Sequence, residues 1–120
     1  MDFFLTNLLW LMDLYLFFDR DYRRNIEDFD ARYSFKSKDE KIDASVIFKD
    51  NEMEVRNYAI EDASVTVIFR DGLALKNFLF SDSPDIISAI LNNEVSYKGN
   101  LNYLAKFAYM ANHLKFKFSN

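Results

Sequence analysis

The spacing of apolar and polar positions divides the chain into a long helix, a run of strands, and shorter helices around one further strand. Phe3–Phe18 (FFLTNLLWLMDLYLFF) is apolar for too long to be a strand and is predicted to be a helix. Its polar residues Asp2, Thr6 and Asp13 fall at spacings of four and seven, and Arg20 extends the same narrow stripe. A helix that covers a sheet needs one apolar stripe. This one is apolar almost all round, which implies a second burial partner.

Strands follow. Phe29, Ala31, Tyr33 and Phe35 alternate with Asp30, Arg32, Ser34 and Lys36, a period of two. Ser37–Lys41 is a polar connection. Ile42, Ala44, Val46 and Phe48 alternate again, up to the turn residues Lys49-Asp50-Asn51. Met53 and Val55 alternate with Glu52, Glu54 and Arg56. Ser64–Phe69 (SVTVIF) is β-branched and nearly continuously apolar, as expected of a strand away from a sheet edge. The short links predict a meander plus one more strand. Each strand has one apolar and one polar face, so one face of the sheet is expected to be solvated.

After Phe69 the period changes. Leu75, Phe78 and Leu79 stand at i, i+3, i+4, and Leu73 with Phe80 at i, i+7, in a short helix opened by Asp71. Ser83 as N-cap and Pro84 at the first helical position predict a second helix running to about Leu91, with Ile86, Ile87, Ile90 and Leu91 apolar. Glu94–Lys98 reads as a short strand carrying Val95 and Tyr97. Asn100 then caps a last helix whose apolar residues include Leu101, Leu104, Phe107, Ala108, Met110, Ala111 and Leu114. Lys115-Phe116-Lys117-Phe118 alternates basic and aromatic residues and is expected to be a terminal edge strand or frayed tail. No repeat or linker interrupts the series. One domain over 1–120 is expected, with 1–28 as the apolar helix and its connection.

Composition narrows the function. Half of the 120 residues are hydrophobic, with 13 Phe, 7 Tyr and 1 Trp against only 2 Gly and 1 Pro, which suits a packed core rather than a disordered chain. The net charge of −4 carries no clustered basic stripe, so nucleic acid is excluded as a partner. The absence of Cys removes disulfides, thiolate catalysis and Cys-based zinc sites, and fits a reducing cytoplasm.

The apolar start lacks a basic n-region and a small-residue cleavage site, and is not read as a secretory leader. As a bilayer span it is short, and Asp13 at its centre would cost about 2.5–3.5 kcal/mol. A buried helix, a dimer-forming helix and an interfacial anchor remain. Arg20, Arg23 and Arg24 suit anionic head groups, diluted by Asp19, Asp21, Glu27 and Asp28.

Catalytic signatures are missing. His113 is the single His, and Ser83, Ser88 and Ser96 lack nucleophile-elbow glycines, so His113 is read as structural or surface. Glu27, Asp28 and Asp30, or Asp39 and Glu40, do not have the spacing of a calcium loop and are read as solvated turns. Asp71-Gly72 fits a strand-to-helix turn, with no glycine-rich phosphate loop. No enzyme activity, metal or cofactor is expected.

Ala89, then Val95 and Tyr97, then the turn Lys98-Gly99-Asn100 leading into Leu101, Lys106 and Phe107 resemble the C-terminal half of the sterol carrier protein 2 (SCP2) family. Ala63–Phe69 (ASVTVIF) is similar to an earlier strand of that family. Asn93 stands where the family usually has Gly, and Ser64 where it usually has Asp; Asn tolerates left-handed backbone angles. The aromatic stretch from Asp2 to Asp28 has no residue-by-residue match. The resemblance implies an α+β fold: a five-stranded, mostly antiparallel sheet with helices covering one face, enclosing an apolar cavity or tunnel. It also implies binding, and transfer, of a lipid-like ligand such as a sterol, a fatty acyl chain or a quinone. Such a ligand gains about 0.8 kcal/mol per buried CH₂ and needs wall area more than polar groups. The candidate lining is Leu73, Leu75, Phe78, Leu79, Ile86, Ile90, Leu104, Phe107, Ala108, Met110 and Ala111. The alternative is a non-catalytic interaction or dimerisation module with a filled core. In that reading the Phe3–Phe18 helix is the interface of a homodimer, with peripheral membrane contact as a further partner.

Overall fold

The alternating segments pair into one five-stranded sheet in the computed structural model, which describes residues 3–79 and 86–118. In chain order the elements are α1 (Phe3–Phe18), α2 (Arg20–Arg23), a 3₁₀ turn (Arg24–Ile26), β1 (Ala31–Ser37), β2 (Asp43–Lys49), β3 (Glu52–Arg56), β4 (Val65–Phe69), α3 (Gly72–Leu79), α4 (Ile86–Leu91), β5 (Val95–Gly99) and α5 (Leu101–Phe118). The strand order is β3-β2-β1-β4-β5, antiparallel throughout except where β1 and β4 run parallel. The architecture is α+β, a mixed sheet with helices.

Local chemistry sets the corners. Asp50 and Asn51 both take positive φ (54° and 62°), as a two-residue turn matching the twist of a hairpin requires, and they join β2 to β3. Asp71 caps α3, its Oδ1 accepting from the Ala74 amide at 2.9 Å. Asn93 supplies the left-handed residue before β5 (φ 58°). Gly99 ends β5 at φ +106°, and a Cβ there would collide with the Ser64 carbonyl oxygen, so only glycine lets the strands approach this closely.

Tyr33, Phe35, Val46, Phe48, Val65, Val67 and Phe69 project from one face of the sheet and are all fully or almost fully buried. The opposite face is solvated toward its edges, where Lys36, Asp43, Glu52, Glu54, Ser96 and Lys98 are exposed, but its centre departs from the sequence expectation. Because β3 lies at an edge and β4 beside β1, the chain must recross two strands, and residues 57–63 run over the outer face to do so. The Ala59 amide donates to Asp43 Oδ1 (2.6 Å) and the Ile60 amide to Ser34 Oγ (3.3 Å). Ser34 and its cross-strand neighbour Ser45 have no exposed surface. Both had the spacing of solvent-facing residues; small hydroxyl side chains instead let another segment of backbone lie close.

The C-terminus corrects a second expectation. Lys115–Phe118 continues α5 and is neither edge strand nor frayed tail. Four alternating residues are too short to separate the two periods, and tertiary contacts decide. Leu114 is buried and Lys117, one turn later, bridges Asp19 (3.0 Å) and Asp21 (3.2 Å). Phe80 and the Ser83-Pro84 helix start lie outside the described residues. In α4, Ala89 is buried and Ile90 half-buried, while Ile87 and Leu91 face outward.

Candidate functional site: an apolar layer under three helices

The helices and the inner sheet face meet in one apolar layer. From α5 come Leu104, Phe107, Ala108, Met110, Ala111 and Leu114, recurring at intervals of three and four so that one broad stripe faces inward. From α3 come Ala74, Leu75, Phe78 and Leu79. From α1 come Leu5, Leu8, Leu9, Met12 and Leu16, none more than 3% exposed. The Phe107 ring lies 4.9 Å from Phe35 and 5.3 Å from Tyr33, and Phe69 lies 6.3 Å from Phe78. Such tilted ring pairs add attraction beyond their buried area.

Two phenols enter this layer with their hydroxyls satisfied. Tyr33 donates to the Tyr103 carbonyl at 2.6 Å, and Tyr22 donates to the Met110 carbonyl at 2.9 Å. Both therefore anchor α5, one in its first turn and one at its middle. Burial pushes both phenols well above the ordinary tyrosine range, because the ionised form would lose its hydration.

Among the sequence-derived lining residues, Leu75, Phe78, Leu79, Leu104, Phe107, Ala108, Met110 and Ala111 come together in this layer. Ile90 is half-buried, Leu73 is 61% exposed in the first turn of α3, and the Ile86 side chain lies outside the described part. The α1 residues and the sheet residues Tyr33, Phe35 and Phe48 also belong to the layer, and sequence reasoning did not nominate them. The 5-8-9-12-16 spacing in α1 was available as a signal, but the apolar residues on its other side hid it.

The larger described clefts are on the surface and polar. One of about 550 Å³ lies under the crossover, lined by Lys36, Ser37, Glu40, Ile42, Asp43, Tyr58, Ala59, Ile60 and Glu61. Two of about 340 and 300 Å³ follow, and one of about 250 Å³ is lined by Arg20, Arg23, Arg24, Glu27 and Asn51. Among the described residues no cluster of three His, Asp or Glu could hold a metal ion, and no helix is long and apolar enough to cross a membrane.

His113 joins α5 to the α2 region. The Asn25 amide nitrogen lies 2.9 Å from the Tyr22 carbonyl and 3.1 Å from His113 Nδ1, so it donates to both. Nδ1 is then the acceptor, and Nε2 carries the hydrogen that points to Asp21 Oδ2 at 3.4 Å. The imidazole is thus held by an amide and a carboxylate, in a structural bracket with Lys117.

A five-stranded mixed sheet in the order β3-β2-β1-β4-β5, with the principal helices packed on one face, defines the fold class. It is the fold of sterol carrier protein 2. The chain superposes on the ubiquinone synthesis protein UbiJ-SCP2 with a TM-score of 0.66 at 18% identity, covering 87% of this chain and 89% of that one. It superposes on sterol carrier protein domain 2 of Helicoverpa armigera with a TM-score of 0.58 at 14% identity, over 91% and 85% of the two chains. The stereoselective inverting sec-alkylsulfatase Pisa1 from Pseudomonas sp. also matches, at a TM-score of 0.64 and 19% identity over 73% of this chain, which spans only 14% of that enzyme's length. At these identities the likeness is one of fold. No protein-family model matches the sequence, and no curated protein matches it.

Proposed function

We propose that this chain, acting as one domain, binds and transfers a lipid-like apolar ligand such as a sterol, a fatty acyl chain or a quinone, and is not an enzyme. The observation that carries the reading is the convergence of α3 and α5 on one apolar layer, closed over by α1, in a chain with the sterol carrier protein fold. The proposed walls are Leu75, Phe78, Leu79, Leu104, Phe107, Ala108, Met110 and Ala111, with Ile90 and Leu73 toward the rim. Met12 and Met110 are fully buried in this layer, and the unbranched thioether adapts to ligands of irregular shape. Access requires the helices to part, since the described wall residues now pack against one another. No cofactor or metal takes part, and a reducing cytoplasm suits a chain without cysteine.

The test is native mass spectrometry of the purified protein, followed by solvent extraction and identification of what is released. A lipid at near-stoichiometric occupancy is expected. A clean mass that stays unchanged after incubation with sterols, fatty acids and quinones would overturn the reading in favour of an interaction module with a filled core.

A further inference from the structure

The apolar layer is bounded by groups that leave it without a counter-charge. All 15 Lys and Arg residues of the chain lie in its described part, and none of them is buried. Among the half-buried ones, Arg32 pairs with Asp62 (3.2 Å), Arg56 with Glu54 (2.7 Å) and Lys117 with Asp19 and Asp21. The Lys106 ammonium lies over the Phe29 ring, 5.1 Å from its centroid. Amides at helix starts are taken as well: that of Ala74 in α3 donates to Asp71, and that of Asn102 in α5 to Asn100, each at 2.9 Å.

The buried polar side chains supply no free donor to the layer either. Ser34 and Ser45 lie on the outer face of the sheet, Ser37 donates to Asp39, and Asn25 donates to the Tyr22 carbonyl and to His113. Two phenols remain. Each gives its one proton to a carbonyl of α5, Tyr33 to Tyr103 (2.6 Å) and Tyr22 to Met110 (2.9 Å). A phenolic oxygen that donates can still accept. Among the described side chains, the layer therefore offers acceptors, with neither a cation nor an uncommitted donor. Tyr33 is the better placed of the two. Its ring lies 5.3 Å from Phe107 and stacks on Phe35 at 5.9 Å, whereas the ring neighbours of Tyr22 are Tyr15 and His113.

On the lipid-binding reading above, on which this inference rests, we propose that the layer selects uncharged lipids whose polar end is a hydroxyl. That hydroxyl donates to the Tyr33 phenolic oxygen, and the anion of a fatty acid is rejected. An alcohol and an acid of equal length bury the same chain, so the head decides between them. A carboxylate drawn into the layer gives up its hydration and meets neither an opposite charge nor a donor. A hydroxyl also leaves water, but recovers a hydrogen bond at Tyr33. An ether of the same length is uncharged, yet brings only an acceptor to a wall of acceptors.

The full chain is loaded from cyclodextrin with hexadecanol, hexadecyl methyl ether or palmitate at about pH 8, where the fatty acid is ionised. Bound lipid is quantified after gel filtration and solvent extraction over a series of concentrations. Hexadecanol is expected to bind at least about a hundred-fold more tightly than palmitate. It is also expected to bind at least as tightly as the ether, although a wall with no polar complement would favour the ether, the less hydrated head. Tyr33→Phe, with its fold checked by circular dichroism, should move the alcohol-to-ether ratio about five-fold toward the ether. A preference for hexadecanol over palmitate of less than about ten-fold would overturn the proposal. So would an alcohol-to-ether ratio that Tyr33→Phe leaves unchanged. Failure of all three lipids to bind would instead overturn the lipid-binding reading itself, and this inference with it.

Discussion

Replacing Phe107 by Ala separates a filled apolar layer from one that already holds a cavity. Phe107 has no exposed surface, and its ring lies 4.9 Å from Phe35 and 5.3 Å from Tyr33. Truncation removes a ring of roughly 100 Å³, and an uncollapsed void costs about 24 cal/mol per Å³, or about 2.4 kcal/mol. Adding the lost transfer free energy brings the total to about 3–5 kcal/mol. That is a large part of the 5–15 kcal/mol typical of a small domain. In urea, with a slope of about 1–3 kcal/mol/M, the midpoint should fall by about 2 M. The void is lined by apolar side chains and should stay dry, so benzene should bind it. A saturating apolar ligand at a hundred times its dissociation constant returns about 2.7 kcal/mol. The expected result is a variant much less stable than the wild type and rescued by benzene, with the wild type nearly unaffected. A midpoint shift worth less than about 1 kcal/mol would refute close packing around Phe107. Equal stabilisation of wild type and variant would show that the space is open before the substitution.

Two further expectations concern pH. Burial raises the phenol pKa of Tyr22 and Tyr33, so the folded state holds these protons more tightly than the unfolded state. Their stabilisation is complete below about pH 10 and is lost as pH rises from there toward the folded values; the urea midpoint should drop in that range, and less steeply in Tyr33→Phe, which also costs about 1 kcal/mol at neutral pH through its lost hydrogen bond. Ordinary phenolate absorbance titration of all the tyrosines in the folded protein would contradict this. On the acid side, the Tyr22 backbone amide and then Lys117 lower the Asp19 pKa, and Lys117 lowers that of Asp21. The stability they contribute is present above about pH 4 and is lost as pH falls through the depressed folded values, so Lys117→Met should flatten the acid limb of the midpoint–pH curve. A limb unchanged in that variant would show that the bracket between α5 and the α1–α2 junction contributes nothing in solution.

β1 and β2 were legible because a two-residue period over six or more positions has one interpretation when one face is apolar, and β4 because its β-branched run is too short for a helix. The Asp50-Asn51 turn, the Asp71 cap, the Asn93 turn and the Asn100 cap were legible because each supplies a backbone conformation or a hydrogen bond that few residues provide. What stayed hidden depended on topology. Ser34 and Ser45 look solvent-facing until the parallel pairing of β1 with β4 forces residues 57–63 across them. Lys117 looks like part of a short alternation until Asp19 and Asp21 come within reach. In the candidate site, the positions on α3 and α5 were readable from their spacing. Whether each one is ligand wall or filler is not encoded in residue type, since close packing and cavity lining use the same side chains.

The sequence of α1 presented the largest discrepancy: a helix apolar on nearly every side, in a fold that buries only one face of it. The two faces of the helix have to be considered separately. The inner face must complete the layer above α3 and α5, which fixes Leu5, Leu8, Leu9, Met12 and Leu16 as close-packed aliphatic or thioether side chains. The outer face carries Trp10, Leu14, Phe17 and Phe18, which this fold leaves exposed. Between the two faces lies a single helix of 16 residues, anchored at its C-terminal end by Tyr22, Asn25 and Lys117. Burial against the sheet and helices therefore accounts for the apolar residues on the inner side of α1 and leaves those on its outer side without an intramolecular partner.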